Sequence, residues 1–282
     1  MNLKTNNVAL IIHTCDRYEF LYKGFEHFFA QYWDFGIRCN YYFITEEKKI
    51  SVTGFENIQS GKGEWADRLS LVLKEKITEN YILYFQEDMW LSKKVNKDFF
   101  NTLFETAEKN NWQQVKLHSS EVYKTSPTDV FIEGFNVAEI DNKHSDFLMS
   151  HQVTLWNKDF LLKQLHKNEH PWRNERKATQ RLKKINPRIF HIDYFAENGS
   201  GEINKNNSPV LRSEYNTVSI NGTLHGNIGH YIRELSGKDP ADAAYATELQ
   251  LHFDNHLTHD GLKKPRKVDI IKKIRNYFRK PG

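Results

Sequence analysis

The chain has 282 residues, of which 39% are hydrophobic, 13% aromatic and 27% charged, enough for one large α/β domain or two smaller ones with a substantial core. Its two cysteines, Cys15 and Cys39, lack C-x-x-C spacing, so neither a disulfide framework nor a structural zinc site is signalled, and no apolar run approaches the roughly 18 to 20 residues that span a bilayer. The net charge of +4 divides into a Lys263–Lys280 segment with nine basic residues against Asp269 and a remainder near −4, which disfavours a uniformly basic nucleic-acid binder.

Met1-Asn2-Leu3-Lys4-Thr5-Asn6-Asn7 has no signal-peptide pattern, so the expectation is a cytoplasmic protein. Val8–Ile12 is a continuous apolar run of the kind that forms a strand buried on both faces. After it, Leu21, Phe25, Phe28, Phe29 and Tyr32 recur at helical spacing, and Tyr41–Thr45 reads as a second strand tipped by Glu46 and Glu47. A glycine-containing loop, Ser60-Gly61-Lys62-Gly63, precedes a helix with Trp65, Leu69, Val72, Leu73 and Ile77 on one face.

The next strand, Tyr81-Ile82-Leu83-Tyr84-Phe85, ends abruptly in Gln86-Glu87-Asp88. In an open α/β sheet ligands bind outside the carboxyl ends of the strands, so these acids stand where a ligand or a hard divalent cation is held. If the strand continued, residues 86 and 88 would share a face and 87 would point away. A helix over about Lys97–Lys109 and a strand at Gln114–Leu117 follow; 123–144 is weakly patterned; Phe147–Trp156 reads as extended. Asn157 is placed to cap a helix with Phe160, Leu161 and Leu165 inward, and another helix starts near Pro171. Glu197–Pro209, rich in Asn, Gly and Ser, reads as a mobile loop. The β/α alternation predicts an α/β fold, a mostly parallel sheet with helices on both faces.

This order of elements, with its acidic strand tips, resembles bacterial sugar-nucleotide-dependent glycosyltransferases of the GT-A (Rossmann-like) fold over about residues 6 to 185. Ser150-His151-Gln152-Val153-Thr154-Leu155-Trp156 and Glu169-His170-Pro171-Trp172-Arg173-Asn174-Glu175 are similar to a pattern of polysaccharide and lipopolysaccharide glycosyltransferases, with His151 where Leu is usual. Such families bind a nucleotide diphosphate through a divalent metal held by a D-x-D-like motif. The resemblance implies Mn²⁺ or Mg²⁺ on Asp88, with Glu87 beside it and His225 completing the site; Gln86 replaces the first acid. One carboxylate suffices for Mg²⁺ when phosphate oxygens and water supply the rest.

Thr14, Asp16 and Glu46 are the expected base and ribose contacts, and Arg17 and Arg68 the diphosphate partners unless they pair with Glu19 and Glu64. Glu87 and Gln86 are further contacts, Gln152 matches the acceptor-side motif, and Trp156 and Trp172 are either sugar platforms or packing residues. Glu175, then Glu169, is the general-base candidate, Glu175 lying where a helix N-terminus favours the ionised form. The implied partners are a nucleotide-sugar donor and a glycan or lipid-linked acceptor, with no nucleic acid. The expected domain spans 1–258. The basic tail over 259–282, with Ile270, Ile271, Ile274, Tyr277 and Phe278 at helical spacing, is either a C-terminal helical extension packed on the body or a contact to an anionic membrane at the inner face of the cytoplasmic membrane. The rival class is a catalytically silent GT-A-like module that binds glycan or partner proteins, which Gln86 favours.

Overall fold

The computed structural model describes residues 6–207 and 209–263. It is an α/β protein whose sheet begins with four parallel strands in the order β3-β2-β1-β4: β1 (Val8–His13), β2 (Asn40–Thr45), β3 (Glu56–Gln59) and β4 (Tyr81–Phe85). Ile12 is registered against both Phe43 and Phe85, so β1, β2 and β4 end at one edge. The order reverses direction between β1 and β4, the switch point at which such sheets open a crevice beyond their carboxyl ends.

The sheet continues through β9 (Thr154–Asn157), antiparallel to both β4 and β6 (Gln114–His118). Beyond β6 lie β10 (Phe190–Glu197) and β11 (Ser213–Thr217), each parallel to its predecessor, and β5 (Met89–Leu91), antiparallel to β11. A hairpin of β7 (Thr125–Ile132) and β8 (Phe135–Ile140) pairs through β8 with β10. Because two antiparallel neighbours restore direction, β10 points the same way as β4, and its end, Glu197, reaches the same edge as Glu87 and Asp88.

Alternation along the strands divides the core. Ala9, Ile11, Ile82 and Tyr84 pack in one cluster with α2 (Trp65–Glu75), α4 (Lys158–Leu162) and α5 (Pro171–Ile185). On the other face Phe85 meets Phe29 and Trp33 of the α1 (Tyr22–Tyr32) side, and α3 (Lys97–Lys109) adds Phe99 and Phe100 against Tyr194. Helices therefore cover both faces, as the alternation predicts. Gly24 on α1 is required by close approach: a Cβ there would stand 2.0 Å from the Trp90 ring. Asn157 caps α4 by accepting the Phe160 N–H at 3.0 Å, and Asn186, with φ of 45°, ends α5.

Two expectations change. Residues 123–144 form the β7–β8 hairpin, missed because β7 is mostly solvent-facing and polar. Of the stretch 147–156 only the end is strand, where β9 (Thr154–Asn157) begins. Within the 197–209 stretch two backbone groups are tied to β10: the buried Asp193 accepts the Ile203 and Asn204 N–H groups at 2.6 and 3.2 Å, and beyond the stretch Arg212 pairs with Asp193 at 2.6 Å.

Contacts divide the chain into two compact units, one ending at Val218 and one beginning at Ser219; the sequence reading has its boundary at 258. The described part of the second carries β12 (Ser219–Ile220), β13 (Thr223–Leu224), α6 (Ile228–Ser236) and α7 (Pro240–Asp254). Residues 264–282, with most of the expected basic tail, lie outside the described residues. Among the described residues no helix is long and apolar enough to cross a membrane.

Candidate functional site

At the tips of β1 and β2 the two ends tie each other down. Asp16 Oδ1 accepts the Glu46 N–H at 2.9 Å, its Oδ2 accepts those of Glu47 and Lys48 at 3.0 and 3.1 Å, and Glu46 Oε2 accepts the Asp16 N–H at 3.0 Å. The sequence-expected ligand contact Asp16 is thereby a loop clamp. Arg68, 5% exposed, donates from both terminal nitrogens to the Thr14 carbonyl at 3.2 and 3.1 Å and to Ser60 Oγ at 3.0 Å, with Nε 3.7 Å from Glu46. It is a strap beneath the crevice, and its partner is Glu46, not Glu64. Arg17 is exposed, with its guanidinium 5.7 Å from the Tyr18 ring centroid, while Glu19 pairs with Lys48. Burial, with Glu87 and Glu46 nearby, pushes the Cys15 thiol up to about 12, so it is no nucleophile at neutral pH.

β4 stops at Phe85, and Gln86–Met89 form a turn in which the Met89 N–H donates to the Gln86 carbonyl at 3.2 Å. The strand alternation expected for 86–88 is replaced by this turn, yet Glu87 is still the buried member, 6% exposed, between two partly exposed neighbours. Burial and the Asp88 charge raise the Glu87 carboxyl well above its ordinary range, against opposing help from backbone, Thr14 and Arg68. Burial likewise raises Asp88. Glu87 Oε2 is buried with no hydrogen-bond partner.

A third carboxyl comes from β10. Burial and the Asp88 charge push Glu197 up to about 7. Sequence reasoning missed it, although Phe190–Glu197 repeats the signal of Tyr81–Asp88, a buried strand ending in an acid; the loop-rich residues after it masked the likeness. Beside it, Tyr215, registered against Glu197, donates to Gln152 Oε1 at 2.8 Å, which fixes the Gln152 side chain against β11.

Glu175 accepts the His151 N–H on Oε1 at 3.0 Å. Burial raises its carboxyl, opposed by that bond and by the charges of Lys116 and Arg176. His151 Nε2–H donates to the Pro171 carbonyl at 3.2 Å and its ring lies 4.1 Å from Trp65; burial drives its pKa to about 3, so the imidazole is neutral. Lys116, a second residue that sequence reasoning missed because it sits inside a strand, is fully buried on β6; its Nζ donates to Ser150 Oγ at 2.8 Å and lies 5.0 Å from the Tyr123 ring. Burial lowers it to about 7, with Glu175 pulling the other way.

Glu169 is not free to act as a base. It is 2% exposed and spent on Arg181 at 3.0 Å, Asn174 at 2.8 Å and Lys177 at 3.8 Å; burial alone would raise its carboxyl, but these partners hold it below the ordinary range. Trp156, 1% exposed, packs with Phe160 in the core and offers no ring face to a sugar, whereas Trp172 is 58% exposed. Trp156→Ala is expected to destabilise the fold by about 3–5 kcal/mol through the cavity it leaves. Urea unfolding checks this; an unchanged midpoint would remove the core assignment.

His225 lies in the second unit, partly exposed, with its Nδ1 accepting the Asn227 N–H at 3.4 Å. Among the described residues no group of three or more His, Cys, Asp or Glu side chains is arranged to hold a metal ion. The donor set still fits a divalent cation in one respect: Glu87 and Asp88 are adjacent acids raised by burial, and one buried oxygen of Glu87 lacks a partner.

No protein-family model matches the chain, and no curated protein matches it. Among solved structures it is similar to residues 1–349 of S. aureus TarS, at 10% identity and a TM-score of 0.43, over 88% of this chain and 70% of that one. A second S. aureus TarS structure is similar at 10% identity and a TM-score of 0.42, over 88% of this chain and 43% of that one.

Proposed function

We propose that the protein is a GT-A glycosyltransferase that moves a sugar from a nucleotide-sugar donor to a glycan or lipid-linked acceptor. The observation that carries the reading is the meeting of Glu87, Asp88 and Glu197 at the carboxyl edge, from two separate parallel strands, next to the β1–β4 switch point. Glu175 and Gln152 join this edge from the acceptor-side motif. Thr14, Glu46 and exposed Arg17 lie at the tips of β1 and β2, where the nucleotide would bind.

Asp88 and Glu87 would hold a Mn²⁺ or Mg²⁺ ion, with the donor diphosphate and water completing its shell. When bound, such an ion offsets charge that develops on the departing diphosphate. The chain's own contribution is positional. Arg68 and Asp16 fix the loops around the nucleotide, and Tyr215 fixes Gln152. In an inverting transfer, Glu175 would take the proton of the acceptor hydroxyl. The localisation that suits this reading is cytoplasmic, peripheral to the inner face of the membrane.

A catalytically silent glycan- or partner-binding module is the second reading, favoured by Gln86 in place of an acid and by the lack of a three-ligand cluster among the described residues. Donor hydrolysis and transfer, assayed across nucleotide sugars with and without EDTA, separate the two. Turnover that EDTA abolishes and Mn²⁺ restores supports the transferase. Absence of nucleotide binding in calorimetry supports the silent module, and EDTA-resistant turnover removes the metal.

A further inference from the structure

The segment 158–185, which contains α4 and α5, has nine Lys and Arg against Asp159, Glu169 and Glu175, a net +6. With the +8 of 263–280 set aside as well, the rest of the chain carries 22 basic and 32 acidic residues, a net −10. A basic island thus stands on an acidic body.

Two of its three acids, the buried Glu169 and the partly buried Glu175, offset only part of the charge on the solvent side of α5, Glu169 lying 3.8 Å from Lys177 and Glu175 near Arg176. Glu169 is buried among Arg181, Lys177 and Asn174, and Glu175 is engaged with the His151 N–H. The exposed residues Arg173, Arg176, Lys177 and Lys184 fall at spacings that place them on one helix face, a stripe about 16 Å long. Trp172, 58% exposed, stands at its first turn.

This arrangement works against the helix. Like charges three and four residues apart repel, and Arg173, Arg176 and Lys177 occupy the N-terminal half, where the helix dipole disfavours cations. Their local neutralisation is slight: Arg173 donates to the Asn168 carbonyl at 3.3 Å, and Lys177 sits 3.8 Å from Glu169 with 61% of its side chain exposed. An anionic ligand along the stripe removes that repulsion.

We infer that the α5 stripe, Arg173, Arg176, Lys177 and Lys184 with Trp172 at its head, binds an acidic glycan. The repeated anionic groups match the row of cations, and the ring of Trp172 matches a sugar face. Naming this glycan the acceptor rests on the glycosyltransferase reading, because Glu175 lies in the same first turns; the binding itself does not.

The test uses the full chain and needs no turnover. Oligogalacturonate, neutral dextran and vesicles containing phosphatidylglycerol are titrated against wild type, against R173E/R176E/K177E, and against a tail variant, K272E/K273E/R275E. The expected result is saturable, salt-sensitive oligogalacturonate binding that the α5 variant weakens at least tenfold and the tail variant leaves within twofold, with no binding of dextran. Trp172→Phe should abolish part of the ligand-induced fluorescence change. Circular dichroism melts check folding, and R173Q/R176Q/K177Q replaces the reversed variant if that one is unfolded. Equal binding of dextran, loss only in the tail variant, or binding to vesicles without binding to oligogalacturonate would overturn the inference. A bound glycan with no donor turnover leaves the site standing and sinks only the transferase reading.

Discussion

Asp88→Asn is expected to transfer sugar on the order of a hundredfold more slowly than wild type, or worse, and to melt at a higher temperature at pH 8. The two effects have one cause. Burial raises the carboxyls of Glu87 and Asp88, and the charge of Asp88 opposes ionisation of both Glu87 and Glu197. For an acid whose folded pKa lies above its unfolded value, the folded state holds the proton longer. Stability is then highest below the unfolded value and falls as pH rises through the folded one, by about 1.4 kcal/mol for each pH unit that separates the two.

For these carboxyls the window opens near pH 4, where unfolded Asp and Glu titrate, and for Glu197 it closes near the folded value of about 7. Asn at 88 removes one charge that the fold partly buries and relaxes the other two. It also removes the side chain proposed to hold the cation. Thermal melts at pH 5 and pH 8 check this: the gain of the variant should be small at pH 5 and clear at pH 8. A variant that melts lower at both values would mean that Asp88 is a structural partner, and unchanged turnover would remove its role at the diphosphate.

The parts of this protein legible in the sequence are those whose residues are buried by pattern. Val8–Ile12 and Tyr81–Phe85 are continuous apolar runs because helices cover both faces of the sheet there, and α1, α2 and α3 announce themselves through 3.6-residue periodicity. The β7–β8 hairpin is obscured because β7 faces solvent, and β5 because three residues carry no period. At the site, single residues at strand tips were readable, but their partners were not. Asp16 and Arg68 look like ligand contacts from position alone, and only the fold brings the Glu46–Lys48 amides and the Thr14 carbonyl to them. Glu197 depends on β10 running parallel to β4 through an antiparallel strand, a relation between residues more than a hundred positions apart.

Lys116→Met is expected to move the acidic limb of the pH–rate profile upward, by on the order of one pH unit, while raising the melting temperature at pH 7. The geometry gives the direction. Ser150 and His151 are consecutive, and they hold the Lys116 ammonium through a side chain at 2.8 Å and the Glu175 carboxylate through a backbone N–H at 3.0 Å. The ammonium therefore favours the ionised Glu175, opposing the burial that raises it. The other groups around the pair supply little replacement charge: His151 is neutral, burial lowers His118 and His191 too, Tyr84 and Tyr123 are raised and stay protonated, and Arg176 is exposed. Methionine leaves Glu175 with less support, so more alkaline conditions are needed to ionise it. The effect of Lys116 on stability has the opposite sign from that of the carboxyls. A lysine lowered to about 7 in the fold and near 10.4 when unfolded binds its proton more readily in the unfolded chain, so its contribution improves as pH rises across that interval. An apolar side chain of similar length removes the burden at neutral pH. ¹³C NMR titration of the Glu175 carboxyl in wild type and Lys116→Met separates this effect from changes in turnover. A Glu175 titration that does not move would sink the coupling, while a shifted titration with no change in the rate profile would show that Glu175 is not the base.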